Sequence, residues 1–176
     1  MVYPAPVFAA DLRARLAAWD LPLGPFRKPD DIIREMHAAA AALGPAAADD
    51  LADLVTTLAR EHAREQQVLA EFLEIYAADH AAALAPALLA RLDPAGPAAL
   101  VEALGSTRSA DAAQLLLATL DLAAADEELL VTLACTLGEL GDPVALAGLH
   151  ALAARDGLPS AVLEEIDIAL QHIARR

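Results

Sequence analysis

The sequence predicts an all-α fold in which helical hairpins stack in chain order, on three observations. Hydrophobic residues make up 57% of the 176 residues but aromatic residues only 3%, so alanine and leucine fill most of the interior. Both are strong helix formers. Apolar residues recur at intervals of three and four positions through most of the chain, which is typical of amphipathic helices. The third observation is an internal repeat in the C-terminal half, with a period in the range typical of helical-repeat arrays.

The repeat is found by shifting the sequence against itself until Leu104 falls on Leu137. Apolar residues then coincide at the positions expected for one face of a helix, and a glycine coincides with a glycine. The matching sets are Leu104, Leu137 and Leu170; Leu100, Leu133 and Ile166; Leu130 and Leu163; Gly105 and Gly138; Leu116 and Leu149. A two-helix unit cannot bury its apolar face alone, so such units are expected to stack on their neighbours.

The clearest unit begins with a predicted helix over Asp126–Glu139, which Gly141 ends. A second helix is predicted from Pro143 to about Ala154, because Asp142 can cap it and proline is tolerated in a first turn. A last helix is predicted over Ser160–Ala174, as a C-terminal cap of the array. Two earlier units are predicted at 96–120 ("GPAALVEALG" with "ADAAQLLLATL") and at 70–92 ("AEFLEIYAAD" with "APALLARL").

The N-terminal part is less regular. We divide the chain into an irregular helical segment at 1–65, packed on the array, and repeats at 66–176. Residues 46–80 fit either one long helix or two with a polar break near "EHAREQQ", and two helices agree better with pairwise stacking. Aromatic residues concentrate near the N-terminus, where they are expected to pin this segment over the first unit; an exposed anchor for a partner is the alternative. They are Tyr3, Phe8, Trp19 and Phe26.

The stretch "LACTLGELGDPVALAGLHAL", residues 133–152, resembles the HEAT-like repeats of phycobilin lyases and of many bacterial scaffold proteins. The resemblance extends over about residues 98–173 and rests on Leu137-Gly138, on Leu140 and on the Gly141-Asp142-Pro143 corner. It implies a right-handed α-α superhelix, a HEAT-like α-solenoid, with the second helix of each unit on the concave side. The sequence departs from the family at Leu130 and Leu163, where an arginine is common.

The charge excludes several classes of function. The net charge is −14, and Lys28 is the only lysine. Such a surface repels nucleic acid and anionic lipid, since both require clustered basic residues. We find no run of about 18 uninterrupted apolar residues and no signal peptide, which favours a cytoplasmic protein without a membrane partner. A single cysteine, Cys135, allows no internal disulfide and is expected to be a near-core filler.

The chain carries no phosphate-binding loop, cysteine pair, nucleophile elbow or zinc-binding histidine motif. His62 with Glu61 and Glu65 has the spacing of a partial metal site, but a solvated polar stripe accounts for it better. No other histidine has a potential metal ligand at a suitable spacing. His150 is expected to be partly buried, and His80 is expected to lie at the end of a helix. We therefore expect no enzyme activity, no catalytic residues, no cofactor and no metal.

Acidic residues are the candidate binding residues. The pairs Asp30-Asp31, Asp49-Asp50 and Glu127-Glu128 fall at predicted helix starts, where the helix dipole favours negative charge. Glu164-Glu165 lies inside a predicted helix, outside its apolar stripe. An acidic concave face is predicted from these residues, with a merely solvated surface as the alternative: Glu127, Glu128, Glu139, Glu164, Glu165 and Asp167.

These observations favour a non-catalytic scaffold or adaptor whose acidic surface receives a basic or mixed-charge protein. One alternative is a phycobilin-lyase-like enzyme that handles a tetrapyrrole. The other is an acidic inhibitor that mimics nucleic acid.

Overall fold

A computed structural model describes residues 5–20, 28–58, 63–92, 98–109, 111–120, 122 and 124–175, without the side chains of 5–10 and 63–65. Within these ranges every regular element is a helix, so the all-α prediction is confirmed. A short 3-10 turn at Pro45–Ala47 precedes α3. The helices are α1 (Ala5–Trp19), α2 (Pro29–Leu43), α3 (Ala48–Leu58), α4 (Ala63–Leu89), α5 (Ala98–Ser106), α6 (Ala112–Thr119), α7 (Glu127–Leu140), α8 (Ala145–Ala153) and α9 (Ser160–Ala174).

The C-terminal helices begin and end close to the predicted residues because their capping signals are local. The Asp126 carboxylate accepts a hydrogen bond from the Leu129 N–H at 2.9 Å and caps α7. Gly141 ends α7 in the left-handed conformation, with φ of 65°, which a glycine adopts without steric cost. The Asp142 carboxylate accepts from the Val144 N–H at 2.9 Å, and α8 begins two residues later than predicted.

The helices of the C-terminal half pack in two layers. In one layer α5 packs on α7 and α7 packs on α9; in the other, α6 packs on α8. Each contact joins units that are adjacent in the sequence. The handedness and curvature of a superhelix remain predictions.

Glycines set the spacing within the layer of α5, α7 and α9. A Cβ added to Gly105 would lie 2.6 Å from the Thr136 Cγ2, and one added to Gly138 would lie 2.9 Å from the Ala169 Cα. Gly105 and Gly138 are equivalent positions of the repeat, and so are their partners, so the same close contact is made twice. The repeat seen in the sequence is thus a repeat of the contact between helices.

The two helices predicted at 70–92 are present, but no loop separates them. The range α4, Ala63–Leu89, contains two helices that meet at a kink, where His80 is non-helical (φ −130°, ψ 20°). Pro86 lies inside the second of them. The sequence between Asp79 and Pro86 is mostly alanine, a strong helix former, so the chain bends at His80 without forming a loop.

The prediction of two helices over 46–80 is confirmed. α3 ends at Leu58 and α4 begins at Ala63, and residues 59–62 between them lie outside the described residues. The predicted boundary between the N-terminal segment (1–65) and the repeats (66–176) falls in the first turn of α4, within one helix. One continuous core of buried residues runs from Leu12 to Ile173, through both parts of the chain.

Aromatic side chains attach the N-terminal helices to α4. The buried Trp19 ring stacks on Phe72 with 5.5 Å between ring centroids, and its Nε1–H donates to the Glu35 carboxylate at 3.1 Å. The Tyr76 hydroxyl donates to the Gly44 carbonyl at 2.7 Å, at the junction of α2 and α3. Trp19 therefore pins α1 as predicted, whereas Tyr3, Phe26 and the side chain of Phe8 lie outside the description.

One helix in the described part of the chain, Gln66–Leu89, is long and apolar enough to cross a membrane, judged by length and composition alone. It belongs to α4, which packs against α1, α2, α3 and α5. The share of its apolar window that is buried inside the protein is 44%.

We expect Gly138→Ala to destabilise the protein. Its new Cβ would meet a backbone atom of α9, which no side-chain rotation can move. Overpacking costs about 1–3 kcal/mol, which exceeds the gain of about 1 kcal/mol from alanine in a helix. The net loss is on the order of 1 kcal/mol, a fall of about 2–4 °C in the Tm measured by circular dichroism.

Gly105→Ala provides the matched control, because its new Cβ meets only a side-chain methyl, the Thr136 Cγ2. Thr136→Ser removes that methyl, so the double variant Gly105→Ala with Thr136→Ser should recover the Tm lost in Gly105→Ala. Unchanged melting of both glycine variants would contradict the close contact between the helices.

Candidate functional site

A groove of about 1090 Å³ lies where the middle of α4 faces the C-terminal ends of α5, α7 and α9. We call it the central groove. Much of its wall is made of small residues, which leave room between the helices. Its lining is His37, Glu74, Ile75, Ala77, Ala78, Ala81, Gly105, Ser106, Thr107, Arg108, Gly138, Glu139, His172 and Arg175.

The helices that line the central groove differ from those we expected. The family resemblance implies a concave side formed by second helices, which are α6 and α8 here. The groove is lined instead by α5, α7 and α9, the first helices of successive units. These helices approach each other closely at Gly105 and Gly138, and both glycines also line the groove.

Two carboxylates, those of Glu74 and Glu139, line the central groove, and those of Glu102 and Glu165 lie near them without lining it. Partial burial raises the pKa of the Glu102 carboxyl group, and the negative charges of Glu139 and Glu74 raise it further. Burial raises the pKa of the Cys135 thiol to about 11, assisted by Glu139, Glu165 and Glu102. These effects place Glu102, Glu139 and Glu165 around Cys135, with Glu74 beside Glu102. We call Glu74, Glu102, Glu139 and Glu165 the acidic row.

Two of the six predicted binding residues, Glu139 and Glu165, belong to the acidic row. Glu127 and Glu128 lie in the first turn of α7, about 16 Å or more along the helix from Glu139. The structure therefore does not bring these two residues to the row.

The other two predicted residues lie on α9. Asp167 is two positions from Glu165, which corresponds to a rotation of about 200° around the helix, and its carboxylate accepts from Gln171 at 2.6 Å. Glu164 is exposed and acts on neither Cys135 nor Glu102. The residues that sequence reasoning missed are Glu74 and Glu102. The repeat offered one signal for Glu102. When Leu104 is aligned with Leu137, Glu102 aligns with Cys135, so the two residues hold equivalent positions on neighbouring first helices.

The acidic pairs at 30–31, 49–50 and 127–128 all lie in the first turn of a helix, as predicted. The Asp31 carboxylate accepts from the Lys28 N–H at 3.1 Å and caps α2. Asp49 and Asp53 both pair with Arg91, at 3.1 and 2.5 Å, and so join α3 to the end of α4. These acids have structural partners outside the groove.

The four described histidines lie on four different helices. His37 and His172 line the groove from α2 and α9. His80 lies at the kink of α4, where the first of its two helices ends, as predicted, and its ring lies 4.7 Å from that of Tyr76. The prediction that His150 is partly buried is wrong: it is exposed, and its Nδ1 lies 2.7 Å from the Leu146 carbonyl.

Cys135 is partly buried and its Sγ lies 3.9 Å from the Glu139 carboxylate. A thiol with a raised pKa stays protonated near neutral pH and is a weak nucleophile. His62 and Glu61, and the side chain of Glu65, lie outside the described residues. Among the residues described, no three histidine, cysteine, aspartate or glutamate side chains are placed to hold a metal ion.

Comparison of this chain with protein-family models, with curated proteins and with solved structures finds no match.

We expect Glu102→Gln to stabilise the protein at pH 7 and to have less effect at pH 4. The raised pKa means that the folded state holds the Glu102 proton more tightly than the unfolded chain does, whose carboxyl titrates near 4.5. Wild-type stability therefore falls as the pH rises from 4.5 through the raised pKa, and the loss persists above it. Like-charge pairs on helices cost about 0.2–0.5 kcal/mol, so the gain in Tm at pH 7 is about 1 °C.

Glu164→Gln is the matched control, because it removes the same charge from an exposed position of α9. Its change in Tm should be the same at both pH values. A Glu102→Gln gain that is equal at pH 4 and pH 7 would show that repulsion within the acidic row is absent.

Proposed function

We propose that this protein is a non-catalytic scaffold or adaptor of the HEAT-like repeat type, and that the central groove receives a segment of a partner protein. The supporting observation is the groove itself: residues of five helices line it, and among them are Glu74 and Glu139 of the acidic row. Such a surface suits an extended partner better than a small substrate, since small-molecule sites have volumes of roughly 300–1,000 Å³ and mostly apolar walls.

The order of helix contacts supports a HEAT-like solenoid as the scaffold. Successive first helices contact one another at positions that are equivalent in the repeat, Gly105 with Thr136 and Gly138 with Ala169. Arrays with this pattern use their extended surfaces to bind other macromolecules. A right-handed superhelix is part of this proposal.

Electrostatics favours a partner that brings basic or mixed charge to the groove. The chain has a net charge of −14, and partial burial, together with the negative charges of Glu139 and Glu74, raises the pKa of Glu102. A lysine or arginine of a partner placed among these carboxylates would relieve that repulsion. Binding of a basic group would therefore lower the repulsion between these carboxylates at the same time.

The proposal is tested by capture from a lysate of the source cells, with quantitative mass spectrometry of the proteins retained. Glu102→Lys with Glu139→Lys reverses two charges of the acidic row. We expect this variant to lose about tenfold or more of the partner retained by the wild-type protein, since opposing charges at an interface cost several kcal/mol.

Glu164→Lys with Asp167→Lys is the control, with the same change in charge on α9 outside the acidic row. It should retain the partner within about twofold, because distant surface charges contribute little. If both double variants retain as much partner as the wild-type protein, the central groove is not the binding surface. If both lose the same amount of partner, the loss comes from the change in net charge and not from the groove.

A further inference from the structure

The central groove carries cations as well as carboxylates. Arg108, just after α5, and Arg175, just after α9, both line it, and both side chains are exposed. Among the described residues, no carboxylate lies within 4 Å of either guanidinium. Arg175 only approaches the Gln171 side-chain oxygen, at 3.5 Å. A groove lined by two carboxylates, Glu74 and Glu139, therefore also presents two cations that are not neutralised within it.

The backbone of Arg108 is held in an unfavourable conformation. Its φ is 46°, in the left-handed region, and it is the one non-glycine residue with positive φ in the described part of the chain. The equivalent position of the next unit is Gly141, with φ of 65°. Glycine is the preferred residue at such a helix end, and asparagine is the usual second choice.

The helix dipole explains part of this arrangement. A positive side chain is favoured near the C-terminal end of a helix, which applies to both Arg108 and Arg175. The dipole does not require the positive charge to stand on the left-handed residue itself, since Ser106 or Ser109 would place it equally near the end of α5. The arginine at position 108 thus retains a strain that a glycine would remove.

Two exposed apolar side chains lie one helical turn from residues that line the groove. Ile33 is 49% exposed and Ile168 is 45% exposed. Each lies one helical turn before a histidine that lines the groove, His37 on α2 and His172 on α9. Large apolar side chains at the margins of a charged groove provide contact area for the body of a bound segment.

We infer that the central groove binds a peptide segment that carries a basic side chain followed closely by a carboxylate. The basic side chain lies against Glu74 and Glu139, and the carboxylate pairs with Arg108 and Arg175. This inference rests on the proposed function and specifies the partner. An arginine recognises a carboxylate through two parallel N–H donors, so Arg108 is the residue that would select a mixed-charge segment over a purely basic one.

The test uses three labelled 12-residue peptides with one alanine-serine background, measured by fluorescence anisotropy against the full-length protein. The first carries two lysines followed by two glutamates. In the second the glutamates are replaced by glutamine, and in the third the lysines are. We expect the first to bind wild type about fivefold or more tighter than either of the others, since each exposed charge pair contributes up to about a factor of five.

Arg108→Gly separates the contribution of the arginine from that of the groove. Removing the left-handed strain should raise the Tm by about 2 °C, which shows that the variant is folded. On this variant the first and second peptides should bind equally, because the carboxylate has lost its partner. Arg108→Lys should restore part of the difference, and Arg15→Gln, on α1 outside the groove, should leave all three affinities unchanged.

The outcomes separate this inference from the proposed function. If wild type binds the first and second peptides equally and the third more weakly, the acidic row takes basic segments without Arg108, and the inference fails while the proposed function stands. An unchanged preference in Arg108→Gly also overturns it. If no peptide binds, the inference fails, and the proposed function fails with it only if the groove variants retain every captured protein.

Discussion

The close contact of α5, α7 and α9 is the constraint on which the rest of this structure depends. Alanine and leucine provide helices and apolar area, but they do not by themselves fix which helix packs on which. Gly105 and Gly138 fix it, because each brings its helix within van der Waals distance of a residue on the next first helix. A helix surface with a glycine at that point has one best neighbour and one best register. The sequence repeat carries this register from one unit to the next.

The groove and its charges follow from that register. When first helices stack closely at equivalent positions, residues that share a face of each helix also become neighbours across helices. Glu102, Cys135 and Glu139 meet in this way, so like charges are brought together that the sequence keeps far apart. The fold tolerates the repulsion because its stability comes from the buried apolar core. Unpaired charges held against local preference are more often found at functional sites than elsewhere in a protein.

The sequence predicted the features that local signals determine, and it did not predict those that depend on contacts between residues distant in sequence. Both ends of α7 were predictable, since Asp126 and Gly141 act on their own helix turns. The direct join of two helices at His80 was not, because the proline that signals a break, Pro86, lies six residues beyond the kink. For the site, Glu139 and Glu165 were candidates, but their grouping with Glu74 and Glu102 depends on how helices distant in sequence align. Periodicity gives the spacing between equivalent residues; it does not give the face of α4 that lies opposite them.

The three helix ends at the groove carry charges that helix stability does not fully explain. Arg108 and Arg175 follow α5 and α9, where a helix dipole favours positive charge. Glu139 lies in the last turn of α7, where the dipole disfavours it, and it also raises the pKa of Glu102 across the helix interface. Two separate interactions thus oppose a carboxylate at position 139, and a neutral residue would remove both. Neither capping nor packing requires that charge, whereas the binding proposed for the groove would use it: a segment that carries both signs of charge matches the order positive, negative and positive on α5, α7 and α9.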